Sequence, residues 1–412
     1  MKPNNEDIVK LFIRNSNTLI PLLFKYYPFT HELINKHQDM AEWDKLSANK
    51  NINWTDNFID KHDAKWEWYR TMCMNPSLPW SIAFVEKHSS KFGANEELSG
   101  NRGMPWNYEF INHFKDRWNW HWLTINKSIN WDQKMFVDFE MWDKTIQHVN
   151  GDNLWTEEFI FKYKNNFNWS FLCYNGNLPW TEEFINKLKP TWQKLQRNAK
   201  VYGGIPLASP WDGLSSNSAL PWSIKFIKKN LPIPILSPYG LNWHSMSRNI
   251  NIPWCDELID EFIDKWDWEW LSVNNGIGFD CRQLEKYEHK IKWHLYDKYD
   301  GSSVSNNTSV QWSEEIIDRF IDKWKWFNLS QNEGVQWTEK MIEKYYSRLY
   351  INNIFDNPSL PWSYEFFLKY EQESIKAWDS WNYKVTRAII WEKVFADILN
   401  NEIVDEILTN IS

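Results

Sequence analysis

Histidines at a repeated position are the residues of this chain that could most readily hold a metal ion or move a proton. His37, His62 and His88 stand 25 and 26 residues apart, so a repeating fold would stack them in a file. Zinc needs its ligands about 2 Å away, whereas packed helices of successive repeats lie about 9–10 Å apart. Because one ion cannot bridge that spacing, and because other repeats place Phe, Tyr or Leu here, the pattern favours structural histidines.

Motifs that carry catalytic chemistry fail on spacing or context. His31-Glu32 is followed by His37, which comes too late for the HExxH zinc motif. Gly203-Gly204 and Gly276 to Gly278 lack the flanking residues of a phosphate-binding or dinucleotide-binding loop. The sequence therefore predicts no enzyme, with no catalytic residues, no metal and no cofactor.

These residues belong to a unit of about 25 residues that recurs along most of the chain. A clear copy, NINIPWCDELIDEFIDKWD, covers residues 249–267. An aromatic anchor recurs thirteen times, at Phe29, Trp54, Trp80, Trp106, Trp131, Trp155, Trp180, Trp222, Trp254, Phe279, Trp312, Trp337 and Trp362. Self-similarity at this period is typical of repeat architectures.

Each unit predicts two short helices. After the anchor comes Ser, Thr, Asn or Asp in all units but that of Cys255, and these side chains cap helix N-termini. Apolar residues four, five and eight positions after the anchor mark one face of a first helix of about three turns. A Trp cluster and Leu-Ser-x-Asn then indicate a shorter second helix. Stacked αα-hairpins bury their apolar faces together, so the predicted fold is all-α, an α-solenoid of about thirteen repeats with terminal capping helices.

An asparagine stands five residues before each anchor from Trp54 onward. The set is Asn49, Asn75, Asn101, Asn126, Asn150, Asn175, Asn217, Asn249, Asn274, Asn307, Asn332 and Asn357. Such a row could read a ligand, one contact per repeat, as helical repeats read RNA bases. A reading residue varies between repeats and a structural cap does not, so we expect Asn to close the second helix in the left-handed conformation.

The domain prediction has three parts. Residues 1–28 form an N-terminal helical cap, 29–376 the repeat array, and 377–412 a C-terminal helical cap. The array is irregular from about 190 to 250, where VYGGIPLASPWDGLSSNSA and NLPIPILSPYGLNW lengthen two units. Gly, Pro and Ser predict loops there.

Loops that project from a repeat array often carry binding. The polar and aromatic residues of the two insertions are therefore the candidate binding residues. They are Tyr202, Trp211, Asp212, Tyr239, Trp243, His244 and Arg248. The alternative is a harmless insertion, because long surface loops destabilise a protein only slightly.

Composition narrows the class of partner and the compartment. The chain carries 31 Trp, which we expect to pack between repeats with their indole N–H groups bonded locally. A net charge of −8 without a basic stripe makes a nucleic-acid partner unlikely. Four cysteines without a CxxC pair fit reduced thiols in the cytoplasm. With neither an apolar signal core nor a long apolar run, no membrane association is expected.

The repeat sequences suggest a family. LPWSIKFI and LPWTEEFI, together with DKWDWEWLSVN and DKWKWFNLSQN, resemble the Trp-rich tandem repeats of certain uncharacterised bacterial proteins. The resemblance covers almost the whole chain. It implies a repeat fold and assigns no activity or functional residue.

The expected function is non-catalytic binding of a protein or peptide, as in an adaptor, inhibitor or immunity-type protein. Two alternatives remain open on the sequence alone. One is a glycan- or nucleic-acid-binding solenoid with exposed Trp and Tyr. The other is an enzyme whose site only the three-dimensional arrangement would show. The sequence leaves the oligomeric state open.

Overall fold

The computed structural model describes residues 3–92, 95–143, 146–198, 210–231, 240–293, 303–379 and 386–411. Within these ranges every regular element is a helix, which confirms the all-α prediction. The chain divides into two compact units. Unit 1 contains Met1–Asn119 and Gln336–Ser412, and unit 2 contains Trp120–Val335.

Unit 1 contains two runs of helices. The first run is α1 (Asn5–Arg14), α2 (Ser16–Tyr26), α3 (His31–Lys36), α4 (Trp43–Ser47), α5 (Asp56–Lys61), a π-helical turn (Trp68–Met72), α6 (Ile82–Lys87), α7 (Asn95–Gly100) and α8 (Tyr108–His113). The second run is α22 (Glu339–Tyr345), α23 (Ile351–Ile354), α24 (Tyr364–Lys369), α25 (Glu371–Trp378), α26 (Thr386–Phe395) and α27 (Asn401–Ile411).

Unit 2 contains the intervening helices. Its first half is α9 (Trp120–Ile125), α10 (Gln133–Asp138), two 3₁₀ turns (Met141–Asp143 and Ile146–His148), α11 (Glu157–Tyr163), α12 (Trp169–Leu172), α13 (Glu182–Asn198) and α14 (Pro210–Ser216). Its second half is α15 (Ile224–Asn230), α16 (Trp243–Arg248), α17 (Asp256–Glu261), α18 (Trp268–Ser272), α19 (Cys281–Lys286), a 3₁₀ turn (Val304–Asn306), α20 (Glu314–Arg319) and α21 (Trp326–Gln331).

The first helix of each repeat begins where the sequence predicts. Ser81 Oγ accepts a hydrogen bond from the Phe84 N–H at 3.1 Å, and Ser363 Oγ accepts one from the Phe366 N–H at 3.1 Å. Cys255 stands at the same position and makes no such bond. The predicted length of three turns is wrong for most repeats, because the helix ends after six residues, as in α5 and α17, and the chain continues in turns.

The repeated asparagines tie each repeat to the one before it. Asn274 Nδ2 donates to the backbone carbonyls of Ser247 at 2.8 Å and of Asn249 at 3.3 Å, and its Oδ1 accepts the Gly276 N–H at 2.7 Å. The amide nitrogen donates to carbonyls of the preceding repeat or segment at Asn49, Asn75, Asn101, Asn175, Asn217, Asn249, Asn274, Asn307 and Asn332. We call this set the asparagine spine.

The predicted left-handed conformation of these asparagines is wrong. At the helix ends where Asn249, Asn307 and Asn332 stand, φ is −77°, −70° and −71°. These are ordinary values for any residue. The asparagines close the helix ends through their side chains, which bond carbonyls that the helices of the preceding repeat leave unpaired.

Asn150 is the exception to the asparagine pattern. Trp155 Nε1 donates to the carbonyl of Val149 at 3.0 Å, and Asn175 Nδ2 donates to the same carbonyl at 2.7 Å. Val149 therefore takes the backbone role that Asn has elsewhere. Asn150 is half-buried, and its side chain stays outside the asparagine spine.

Tryptophan indoles use carbonyls of their own repeat. Trp222 Nε1 donates to the Asn217 carbonyl at 3.0 Å, and Trp254 Nε1 donates to the Asn249 carbonyl at 3.0 Å. In the Trp cluster, Trp266 Nε1 donates to the Ile259 carbonyl at 3.2 Å. The indoles of Trp131, Trp192 and Trp337 are buried without a hydrogen-bond partner among the described residues.

A serine two residues before the asparagine makes a second link between repeats. Ser247 Oγ donates to the Trp243 carbonyl at 2.7 Å and accepts the Asp267 N–H of the next repeat at 2.9 Å. Ser272 Oγ likewise donates to the Trp268 carbonyl at 2.6 Å and accepts the Lys292 N–H at 2.9 Å. The second helices of successive repeats are thus joined through backbone groups.

In unit 1 the first and last helices pack together, which the sequence did not predict. Helix α1 packs on α27, and α2 packs on α26. Arg14 Nε donates to Glu371 Oε1 at 2.7 Å. Lys36 Nζ and His37 Nε2 reach the Asp405 carboxylate at 2.6 and 2.7 Å. The two terminal segments therefore cover each other.

Replacing a spine asparagine should destabilise the protein, and replacing Asn150 should not. Asn274→Ala leaves the Ser247 carbonyl and the Gly276 N–H without this partner and removes one of the two donors to the Asn249 carbonyl. An unsatisfied buried group costs about 1–3 kcal/mol, so we expect a loss of about 2–4 kcal/mol. For Asn150→Ala we expect a change within about 0.5 kcal/mol. Urea unfolding followed by circular dichroism measures both. Equal losses in the two variants would show that the spine does not stabilise the fold.

Candidate functional site

The described candidate binding residues lie on two neighbouring second helices of unit 2. Trp211 and Asp212 belong to α14, and Trp243, His244 and Arg248 belong to α16. The loop prediction is wrong for residues 210–216 of the first insertion, which form α14. The second insertion ends at Trp243, the first residue of α16, and residues 232–239 lie outside the described part of the chain. Tyr202 and Tyr239 lie outside the described residues.

Trp211 and Trp243 are packing groups. Trp211 is 9 % exposed, and its ring meets Trp192 edge-on at 6.0 Å. Trp243 meets Trp266 edge-on at 4.9 Å and Phe262 at 5.0 Å. Both stand where most second helices of the chain place Trp, so they hold the helices together.

The polar candidates face solvent and gather around a residue that sequence reasoning missed. The Arg248 guanidinium carbon lies 4.1 Å from the centre of the Trp270 ring, a cation–π contact. His244 meets the same ring edge-on at 5.8 Å, and its Nδ1 lies 2.9 Å from Asp267 Oδ2. Trp270 is thus the centre of a small polar and aromatic cluster on α16 and α18.

Asp212 lies on the neighbouring helix and accepts a hydrogen bond from Asn242 Nδ2. That contact fixes a carboxylate beside the start of α16. The His244–Asp267 pair contains a base and its orienting carboxylate, but the His244 side chain is 56 % exposed.

The cluster is part of a larger surface. Helix α12 packs on α14, α14 on α16, and α16 on α18, so the second helices of four successive repeats form one row. Their outward side chains define what we call the second-helix face, made by Phe171, Tyr174, Asp212, Ser216, His244, Arg248, Glu269 and Trp270. Phe171 and Tyr174 are each 37 % exposed. The face therefore has an aromatic end, a charged middle and a second aromatic end.

The signal for this face was present in the sequence. Its residues stand one or two positions after the second-helix Trp, as His244 and Trp270 do, or directly before the spine asparagine, as Arg248 does. These positions change type from repeat to repeat, whereas the buried positions are mostly Trp, Ser and Asn, with Cys73, Thr124 and Cys173 among the replacements at the serine position. Variation at fixed positions in a repeat marks a solvent-facing surface.

The first helices of unit 2 present a different surface, built from ion pairs between repeats. Lys286 Nζ lies 2.6 Å from Asp260, and Lys290 Nζ lies 2.7 Å from Asp264. Lys229 Nζ lies 2.6 Å from Glu182 Oε2 in an earlier pair. Such solvent-exposed pairs contribute little to the stability of the fold. Their effect on function is to neutralise the lysines of this layer.

The three histidines of the repeated file are all buried in unit 1 and have separate surroundings. His37 Nε2 pairs with Asp405, and His62 Nε2 lies 2.9 Å from Asn35 Oδ1. His88 Nε2 has no hydrogen-bond partner among the described residues. In the described part of the chain, no group of three or more His, Cys, Asp or Glu side chains is placed to hold a metal ion.

No protein-family model, curated protein or solved structure matches this chain. We therefore argue its function from the second-helix face and its contacts. Among the helices of the described residues, none has the length and apolar composition needed to cross a membrane.

The burial of His62 and His88 predicts a loss of stability in mild acid. Burial, followed by the charges of Lys87 and Lys91, lowers the pKa of His88 below its ordinary 6.5, and burial does the same for His62. As the pH falls, His62 and His88 bind a proton at a higher pH in the unfolded chain than in the folded protein. The stabilisation is therefore complete above pH 6.5 and is lost as the pH falls through 6.5 towards the folded pKa.

Urea midpoints at pH 7.5, 6.5 and 5.5 test this. We expect His88→Phe to make the pH dependence of the urea midpoint shallower. Phe is the residue at the same position of the next repeat, where it is Phe114. His289→Phe, at an exposed ring, controls for the loss of a histidine. A wild-type slope in His88→Phe would rule out the contribution of His88.

Proposed function

We propose that this protein is a non-catalytic binding scaffold, an α-solenoid of about thirteen αα repeats whose second-helix face recognises a protein or peptide. One observation carries the proposal. The buried positions of the repeat keep Trp, Ser and Asn in most copies, while the outward positions of the same helices differ from repeat to repeat. A scaffold that holds its interior constant and varies its surface can select a partner without changing its fold.

The spine supports the solenoid half of the proposal. In unit 2, each asparagine from Asn217 to Asn332 donates to the backbone carbonyl of the asparagine one repeat earlier. Contacts that repeat only between neighbours are typical of solenoids. The packing of α1 on α27 supports a capping role for the first and last helices.

The composition of the second-helix face supports a protein or peptide partner. Aromatic residues and Arg supply most of the affinity in protein interfaces, and this face offers Phe171, Tyr174, Arg248 and Trp270. Four helices spaced about 9–10 Å apart make a row about 30 Å long. An extended peptide of about nine residues spans that length.

The surroundings of the aromatic residues favour this partner over the other classes. A sugar stacks on a free aromatic face, whereas Arg248 already lies over the Trp270 ring. A nucleic-acid backbone needs available cations, whereas Lys286 and Lys290 of the first-helix layer pair with carboxylates.

We place this binding in a reducing compartment, the cytoplasm. All four cysteines are free thiols, and Cys73 and Cys173 are buried. Burial raises the pKa of the Cys73 thiol to about 12, so this thiol stays protonated at neutral pH. An adaptor, inhibitor or immunity-type protein fits this setting.

Site-specific photocrosslinking tests the proposal. We would place p-benzoylphenylalanine at Phe171 or at Trp270, and at Asp264 as a control on the first-helix layer, where the side chain is 79 % exposed. In a lysate of its own source cells we expect discrete protein adducts from 171 and 270, none from 264, and no effect of nuclease. With the captured partner purified, Trp270→Ser should weaken binding about 30-fold, the effect of losing an anchor worth about 2 kcal/mol.

Three outcomes would count against the proposal. Equal adducts from position 264 would mean that the face is not specific. Adducts that vanish with nuclease would move the function to nucleic acid. No adduct from either face position would remove the second-helix face as a binding surface.

A further inference from the structure

A pocket in unit 1 lies away from the second-helix face. Its volume is about 830 Å³, and it opens between the end of α2, the turn after α4, and α26 with the residues that follow it. Ligand pockets in proteins measure about 300–1,000 Å³. The lining residues that matter for binding are Lys25, Tyr26, Lys50, Asn51, Trp391 and Glu392.

The lining has more positive than negative charge. Among the described lining residues, Lys25 and Lys50 are accompanied by one acid, Glu392. Two further cations act on Lys25 from nearby: Arg387, whose Nε lies 3.1 Å from Asp356 Oδ1, and Lys45, whose Nζ lies 2.6 Å from Asp44 Oδ2. Those cations nevertheless add to the positive potential at Lys25.

The pKa of Lys25 reflects this positive potential. Burial lowers its pKa, and the charges of Lys45, Arg387 and Lys50 lower it further. Holding the ammonium charged at this place therefore has a free-energy cost. An anion in the pocket would reduce that cost, because a nearby opposite charge favours the charged form.

An aromatic and apolar wall of the pocket includes Tyr26 and Trp391, and Lys25 Nζ lies 5.3 Å from the centre of the Tyr26 ring. The rings of Tyr26 and Trp391 lie 6.0 Å apart and are tilted by 38°. Trp391 is 5 % exposed. Asn51 Nδ2 donates to the Tyr26 carbonyl at 2.7 Å and fixes this wall to the turn after α4. Pro28 and Leu399 complete a surface on which a flat ring can rest.

We propose that this pocket binds a small organic anion, in which a phosphate, sulfonate or carboxylate group is joined to a flat ring. The anionic group lies between Lys25 and Lys50, and the ring rests against Tyr26 and Trp391. This site shares no residue with the second-helix face, so either one can be correct without the other.

The probe is 1-naphthyl phosphate, titrated into the full-length protein by isothermal titration calorimetry. Its controls are 1-naphthol, which has the same ring without the charge, and inorganic phosphate, which has the charge without the ring. We expect saturable binding of 1-naphthyl phosphate at one site. Each control should bind at least about tenfold more weakly, because each lacks one half of the recognition.

Variants assign the binding to the lysines. Lys50→Gln, at an exposed side chain, should weaken binding of 1-naphthyl phosphate about tenfold, the loss of one charge-assisted contact, and the double variant Lys25→Gln/Lys50→Gln should weaken it further. Lys225→Gln, at an exposed lysine of unit 2, is the matched control and should bind as wild type. Circular dichroism confirms that each variant is folded.

The proposal is wrong if 1-naphthyl phosphate gives no saturable binding at 5 mM, or if the folded Lys50→Gln and double variants bind it as wild type does. Equal affinity for 1-naphthol would show an apolar crevice without anion recognition. Equal affinity for inorganic phosphate would show that the aromatic wall plays no part.

Discussion

The side-chain amide of the spine asparagine is the interaction on which the repeats depend. A helix leaves its last carbonyls without partners, and a second helix of five or six residues has few other bonds to hold its end. The next repeat supplies the missing donor, as Asn217 does for Cys173 and Asn175. The asparagine carbonyl in turn accepts the anchor indole of its own repeat, as Asn217 does from Trp222. One buried residue therefore closes the preceding repeat and fixes the beginning of the next.

This constraint separates the positions that can vary from those that cannot. Asn, the serine before it and most Trp of the two registers are bonded to backbone groups, so few other side chains can replace them. The outward positions of the same second helices have no such role. They carry Phe171 in one repeat and Trp270 in another. Binding specificity can therefore change on the second-helix face without changing the interactions that hold the repeats together.

Local features of the fold were predictable from the sequence, and features that join distant residues were not. The helix N-caps and the all-α class follow from residue types within one repeat. The repeated Asn was predicted to close its own helix through its backbone conformation. Its side chain instead bonds carbonyls that lie about 25 residues earlier, and no local pattern in the sequence indicates these partners. Helix α14 was taken for a loop because Gly and Pro nearby concealed the Trp and Ser-x-Asn registers that it shares with other repeats. Trp270 was missed because a second-helix Trp was assumed to be buried.

The terminal pairing in unit 1 explains why a pocket forms where it does. Asp405 of α27 holds Lys36 and His37, as Asp60 of one repeat holds Lys87 of the next. Relative to α3, helix α27 thus has the position that the first helix of a preceding repeat would have. The segment from α26 onward lacks the repeat's Trp and Asn pattern, so it cannot fill the space beside α2 as a repeat would. The gap that remains is lined by Lys25, Lys50 and Trp391. A ligand can enter there without displacing any bond of the asparagine spine.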